Sequence, residues 1–296
     1  MDLQQMRYAV AVAETRSFTR AAEQCHVVQS ALSHQIKSLE KSLGVALFVR
    51  TSRRVELSPA GEAFVPVARE CLATADRAVA VATESTGTIS GTVTIGLIPT
   101  VTGLDVPSLL QRFHHSYPQV HVVVRSGSSD ELVESVRQKR IDIAVLGLPG
   151  GSRPQGVGLH ELRRDRLVAV VGPGHRFAGR RRLRLSDLAD ETFADFPANS
   201  PGRRQSDLAF SHAGLHRKVM FELMSPDLML ELVHRDLAVS LLPPGFLPEN
   251  PGVSRVAVTD GPERVEYLAW NDFNPTPAQI ALRELLLDSP DPDAPR

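Results

Sequence analysis

Residues 17–59 read SFTRAAEQCHVVQSALSHQIKSLEKSLGVALFVRTSRRVELSP. Ser17 suits a helix N-cap, because its hydroxyl can accept one of the orphan amides of the first turn. A short helix should then run through Glu23, with Phe18, Ala21 and Ala22 facing inward. His26-Val27-Val28 ends in a β-branched pair that favours a turn over a helix. From Gln29 the helical period resumes. Leu32, Ile36, Leu39 and Leu43 step by four, three and four and form one buried stripe. The opposite face carries Gln29, Ser30, Ser33, His34, Lys37 and Lys41, and Gly44 closes the helix as a left-handed C-cap. The run Arg50-Thr51-Ser52-Arg53-Arg54-Val55-Glu56-Leu57 follows, a basic hairpin. Helix, tight turn, helix and hairpin make a winged helix-turn-helix, which places one helix in the major groove of DNA.

The chemistry of the polar face fits that use. Glutamine can bond adenine through two groups, serine and histidine reach base edges or phosphates, and lysine neutralises phosphate. Residues 1–60 hold eight Lys/Arg against five Asp/Glu, a local charge of +3 in a chain of formal charge −1. Localised positive charge is what electrostatic attraction to DNA requires. The plainer alternative is an amphipathic helix pair with a solvated polar face.

The ordered run decides between them. Phe18 with Ala21-Ala22, Gln29 to Ser33, Gln35-Ile36, Leu39-Glu40, Leu43-Gly44, Leu47-Phe48, Arg50 and Leu57-Ser58-Pro59-Ala60-Gly61 resembles the N-terminal signature of LysR-type transcriptional regulators. Two positions depart from it: Cys25 stands where the family usually has leucine, and His34 where it often has arginine.

Around this stretch the composition is that of ordinary globular protein, 42% hydrophobic and 23% charged over 296 residues, enough for about two domains. No apolar run is long enough to cross a membrane, and no basic-then-apolar leader opens the chain. Cys25 and Cys71 are the only cysteines, so a disulfide framework is not expected and a reducing cytoplasm is.

Leu3–Glu14 should form a first amphipathic helix with Leu3, Met6, Val10, Val12 and Ala13 buried. Ser58-Pro59 starts a long helix to about Ser85. In it Phe64, Ala68, Cys71, Ala75, Ala78 and Ala82 make a heptad seam, widened by Leu72 and Val79. A seam of this length points to a partner helix from a second subunit; a helix lying on its own domain is the other reading. The resemblance implies the first, a dimerising linker helix that pairs two recognition helices on a pseudo-palindrome. Thr86–Gly91 reads as a hinge.

From Gly91 strands and helices alternate. Strands are expected at Thr92–Ile98, Val120–Arg125 and Ile141–Leu146, with helices at Val106–His115 and Asp130–Lys139: a parallel βαβαβ set. After a Gly/Pro-rich loop, Gly147–Gly158, a second set covers Arg166–Val171, Ser186–Ala189, Thr192–Asp195, Arg203–His212, Lys218–Glu222, Pro226–Arg235 and Ala238–Leu242. Strands at Val253–Val258 and Val265–Asn271 follow, then a helix capped by Thr276-Pro277 through about Leu287 and a Pro/Asp-rich tail.

The resemblance implies that this half is an α/β effector domain like periplasmic binding proteins. Its first subdomain would be 91–162 plus 266–288, its second 163–265. The whole is then a multidomain chain: winged helix-turn-helix at 1–58, linker helix and hinge at 59–90, regulatory domain at 91–296.

Ligands of open α/β sheets sit at the carboxyl ends of strands. Pro99-Thr100-Val101-Thr102 and Ser126-Gly127-Ser128-Ser129 each follow a strand and precede a helix N-terminus, which favours an anion. Phe196–Arg203, with Pro201 and Gly202, and Ser225 with Leu242-Pro243 are the matching turns of the second set. The resemblance places effector contacts at Thr100, Thr102, Ser128 and the 196–203 loop. Arg203 and Arg204 could hold a carboxylate. A small polar or anionic metabolite is the expected ligand.

Other chemistries lack their residues. Gly147–Gly156 has no Lys-Ser/Thr and no following helix, so it is no phosphate cradle. Histidines 114, 115, 160, 175, 212, 216 and 234 have no metal-ligand spacing, and no Gly-x-Ser-x-Gly is present. Neither metal nor cofactor is expected, nor enzymatic activity. Arg180–Arg184 reads as a solvated loop. A thiol redox sensor would need a pair of cysteines in 91–296, which has none, and a solute-binding protein would leave residues 1–60 unexplained. The expected partners are promoter or operator DNA, a small-molecule effector and further copies of the chain as dimer or tetramer, with no membrane.

Overall fold

The computed structural model describes residues 1–50, 55–84, 88–247 and 252–289. The chain divides into two compact units, residues 1–87 and 88–296. Among the described residues no helix is long and apolar enough to cross a membrane.

In the first unit α1 (Leu3–Thr15), α2 (Phe18–Gln24) and α3 (Gln29–Leu43) precede a hairpin of β1 (Phe48–Arg50) and β2 (Val55–Leu57), and α4 (Pro59–Glu84) follows. Ser17 caps α2 by accepting from Arg20 N–H at 3.3 Å. His26, at φ 54°, makes the left-handed turn that separates α2 from α3. Leu32, Ile36 and Leu39 are fully buried against Ala9, Val12, Ala21 and Phe48. Gly44 ends α3 at φ 74°. In α1 the buried side is rotated from the expected one: Leu3 is exposed and Val10 only half-buried, while Tyr8, Ala9 and Ala11 are inside. α1 is flanked by α2, α3 and α4, so its buried arc is wider than one stripe. Gly61 must lack a side chain, because a Cβ there would lie 2.1 Å from the Leu47 carbonyl oxygen.

The second unit begins with β3 (Gly91–Leu97), α5 (Val106–Ser116), β4 (Val120–Ser126), α6 (Ser129–Arg137), β5 (Ile143–Pro149) and β6 (Gly158–Arg166). Then come β7 (Val168–Val171), β8 (Arg182–Leu183), α7 (Leu185–Leu188), β9 (Thr192–Asp195), α8 (Pro201–His212) and β10 (Lys218–Glu222). The chain closes with α9 (Pro226–His234), β11 (Ser240–Leu242), β12 (Ser254–Val258), β13 (Glu263–Trp270) and α10 (Pro277–Leu287). One sheet runs β4-β3-β5-β13-β6; its first three strands are parallel, but β13 is antiparallel to both β5 and β6. The other subdomain holds β11-β7-β12-β8 and the parallel pair β10-β9.

Two features go beyond the expected elements. Residues 159–165, between the expected loop and the expected strand at Arg166, belong to strand β6. Its charged sequence, GLHELRRDR, hides the strand because both faces carry polar groups that pair with neighbours. The second sheet is mixed: β7 is antiparallel to β11 and β12. Its core packs Phe193 edge-on against Phe210, ring centroids 5.7 Å apart. Beneath lies a buried ion pair, Arg217 to Asp195 at 2.6 Å. Burial pushes the Asp195 carboxyl up against the pull of Arg217.

Candidate functional site

The exposed face of α3 is polar along its length. Gln29, Ser30, His34 and Lys37 are exposed and Ser33 is half-buried. Val28, the N-cap residue, offers no side-chain acceptor, unlike Ser17 and Asp2 at the two preceding helices. Ala31 and Leu32 N–H reach back to the Val28 carbonyl, so the first-turn amides of Gln29 and Ser30 face outward as donors for an anion. The helix is anchored from behind. Gln5 Nε2 donates to Gln35 Oε1 at 3.0 Å. Glu40 Oε1 accepts from Leu47 N–H at 2.8 Å and Phe48 N–H at 3.2 Å, which ties the helix to the first wing strand. Ser58 secures the other wing strand by donating to Ala46 C=O at 2.6 Å and accepting from Gly61 N–H at 3.0 Å. Arg50 lies at the end of β1. Arg53 and Arg54 lie outside the described residues.

The heptad seam of α4 is divided. Ala68 is buried and Phe64 packs on the core of its own unit, so these two turn inward rather than toward a partner. The same end of α4 lies along α1, where Arg69 pairs with Glu14 at 3.1 Å. Beyond it, Cys71, Ala78 and Ala82 are exposed and Ala75 is half-buried. Burial pushes the Cys25 thiol up, away from a reactive thiolate.

In the second unit a cleft with an empty volume of about 490 Å³, mouth included, opens between the subdomains. Pro99, Thr100, Ser128, Phe196 and Gly202 line it, as the sequence suggests. Val101, Thr102, Ser126, Pro201 and Ser225 do not. Val101 packs into the apolar cores on both sides of the first sheet. Thr102 and Pro201 are buried. Ser126 borders a separate surface hollow with Arg125 and Arg140, and Ser225 caps α9 by accepting from Leu228 N–H. Arg203 is engaged by Asp207 at 3.0 Å and Glu222 at 3.1 Å. Arg204 crosses the cleft to Asp130 at 2.8 Å. The remaining walls are mostly apolar, among them Ile98, Leu167, Met224, Leu241 and Pro243, with Ser129, Ser200 and Gln205.

Arg264 also lines the cleft, and it is the largest fully buried side chain. Its Nη1 donates to Thr100 C=O at 2.9 Å and to Thr100 Oγ1 at 3.0 Å. Its Nη2 meets Glu266 and donates to Thr102 Oγ1 at 3.0 Å. Glu266 accepts from Gly103 N–H at 2.9 Å, and Asp165 pairs with Arg163 at 2.8 Å. Two cations and two anions thus balance within one buried cluster that pins the loop after β3 to the crossing strands β6 and β13. Burial pulls the Arg264 pKa down while Glu266 and Asp165 hold it up.

Family models match both units: a bacterial regulatory helix-turn-helix protein of the lysR family over residues 3–62, and a LysR substrate binding domain over 86–291. The chain belongs to the LysR family of bacterial transcription regulators. These are DNA-binding regulators with an effector-binding domain, not enzymes. The HTH-type transcriptional regulator IlvR of Caulobacter vibrioides is 30% identical over 99% of this chain and 100% of its own. The hydrogen peroxide-inducible genes activator of Pectobacterium carotovorum is 31% identical, covering 84% of this chain and 82% of that protein. The dual regulator GltC of Bacillus subtilis is 32% identical over 84% and 83%. Among solved structures, full-length OxyR of Pseudomonas aeruginosa, in a variant form, aligns with TM-score 0.73 over 97% of this chain and 94% of its own. At 24% identity that likeness shows the fold.

For a LysR regulator the residues missed by sequence reading are informative. Gln205 sits one turn or less from residues of the 196–203 loop, so helix phase would have found it. Arg264 could not be found so. It reads as one charge in an alternating strand, and its partners Thr100 and Thr102 are 164 and 162 positions away.

Proposed function

We propose that this protein is a cytoplasmic regulator that binds promoter DNA as a homo-oligomer and answers to a small polar or anionic effector held between the regulatory subdomains. Gln29, Ser30, Ser33 and His34 read base edges. Lys37, Arg50, Arg53 and Arg54 hold phosphates or a minor groove. The observation that carries the reading is the outward face of α3: polar, cationic at Lys37, with two first-turn amides free of side-chain caps. Pairing of two chains uses the exposed part of the seam, Cys71, Ala75, Ala78 and Ala82. A protein of the same fold, CbnR, has been solved in complex with its target DNA, which is in keeping with DNA as the partner. The peroxide response in the names of several relatives does not carry over through a cysteine pair, since residues 88–296 contain no cysteine.

Footprinting of the purified chain on its own upstream DNA at two salt concentrations tests this. The expected result is a pair of protected half-sites on one face of the duplex, separated by whole helical turns. Lys37→Ala should reduce the salt slope of binding by about 1. Uniform coating that salt erases, with no half-sites, would sink the reading.

A further inference from the structure

Two polar groups in the cleft have no partner. Arg264 Nε and Gln205 Oε1 are each buried and without a hydrogen bond among the described residues, and both side chains line the cavity. Buried polar atoms left unsatisfied cost free energy, and two of them on the wall of one cavity mark a place that a guest can complete. The flank of Arg264 is left open by Gly147: a Cβ there would sit 3.8 Å from Nε and 3.5 Å from Cδ.

The groups are complementary in kind. Nε is a donor on a cation; Oε1 is an acceptor. The charge of Arg264 is already offset by Glu266, but two helix N-termini add positive potential at the same cavity. These are α6 at Ser128-Ser129 and α8 at Ser200–Gly202. The acidic residues of the first turn of α6 are engaged elsewhere, Asp130 by Arg204 and Glu131 by the Ser128 cap. What remains for a guest is an anion seat beside an acceptor, walled by Phe196, Leu241 and Met224.

Resting on the regulator reading above, we infer that Arg264 and Gln205 select the effector, and that it is a small organic acid carrying a separate hydroxyl or amino donor. The carboxylate takes the Arg264 Nε–H and the amides of the helix starts. The donor meets Gln205 Oε1. The carbon skeleton lies on the apolar wall.

Calorimetric titration of the full chain with three matched probes tests this: 2-hydroxyhexanoate, hexanoate and 1,2-hexanediol. The hydroxy acid should bind about tenfold or more tighter than hexanoate, a difference of about 1.4 kcal/mol. The diol should give no measurable binding. Gln205→Leu, which keeps the volume and removes an unsatisfied group, should fold as well as the parent and bind the two acids equally. Arg264→Lys, which keeps the charge beside Glu266 but removes Nε–H, should weaken both acids about tenfold or more. A Gln205→Leu chain that still prefers the hydroxy acid overturns the inference. So does a parent chain that binds the diol as well as the acids, or none of the three at about 10 mM. Footprinting without any acid runs alongside. Half-site protection together with failed acid binding sinks this inference alone, whereas absent protection sinks the regulator reading itself.

Discussion

The two units solve opposite problems with their polar residues. In the first, polar side chains point outward from α3 and the bonds that tie it to the wing span few positions, from Glu40 to Leu47 and Phe48. In the second, polar residues are drawn inward and paired across most of the unit, as Arg264 with Thr100 and Thr102. A surface that reads a partner needs exposed, solvated groups on a rigid rod. A cavity that selects a small molecule needs desolvated groups whose partners fix them in place. The first kind of order is periodic and local; the second is neither.

The largest test of that contrast removes the inward charge. Arg264→Met leaves Glu266 and Asp165 buried with one partner fewer, and should lower the stability of the chain by about 3–5 kcal/mol. Urea unfolding followed by circular dichroism reads the loss. A loss below about 1 kcal/mol would mean that the cluster is solvated like a surface pair, and the contrast between the units would fail.

Asp142 gives a second, pH-resolved test. Its carboxylate accepts from Thr94 N–H at 2.6 Å and from Gln279 Nε2 at 2.5 Å, yet burial lifts its pKa to about 6. The folded value lies above that of the unfolded chain. The group therefore favours the fold most at low pH, and that contribution is lost as pH rises through about 6. The difference amounts to up to about 3 kcal/mol by pH 7. Asp142→Asn keeps an acceptor for Thr94 and does not ionise. Relative to the parent it should gain stability between about pH 4 and about pH 7.5, by up to that amount. A flat difference across the range would show that the carboxylate is already ionised throughout.

The same contrast explains what could be read in advance. The stripe Leu32, Ile36, Leu39, the Ser17 and Thr276 caps and the Gly44 stop are set by neighbours within a turn or two, and all appear where the sequence places them. The cleft was half legible: turns after strands pointed to Thr100, Ser128 and Gly202 because helix starts follow strand ends. Thr102 stands away from the cleft lining, and nothing local distinguishes a threonine that lines a cavity from one that accepts from a buried arginine. Strand β6 was missed for the same reason, since its Arg163 and Asp165 look like surface charges until β13 is beside them.

A third test returns to the first unit. Glu40→Ala strips the acceptor from two wing amides, Leu47 and Phe48, and should cost about 1–3 kcal/mol. DNA affinity should fall as well, since the wing loses its tie to α3. Thermal unfolding and footprinting of one preparation read both. Unchanged stability would show that water replaces the carboxylate, and that Ser58 and the edge-on packing of Phe18 on Phe48, ring centroids 5.9 Å apart, suffice to hold the wing.

The smallest effect belongs to Arg204, and it sharpens the contrast within the second unit itself. Its bond to Asp130 joins α8 to α6 across the cleft, but both side chains are about half exposed, 46% and 57%. Water screens such a pair, so Arg204→Ala should change stability by no more than about 1 kcal/mol, and less at high salt. The buried cluster at Arg264 lies within the first subdomain, where it joins the loop after β3 to β6 and β13, and should be insensitive to salt. If Arg204→Ala cost as much as Arg264→Met, exposed and desolvated pairs would weigh alike in this unit, and the contrast would fail. The small effect expected here leaves the stability of the unit to the desolvated charges that line the cleft at Arg264, where an entering ligand must meet them.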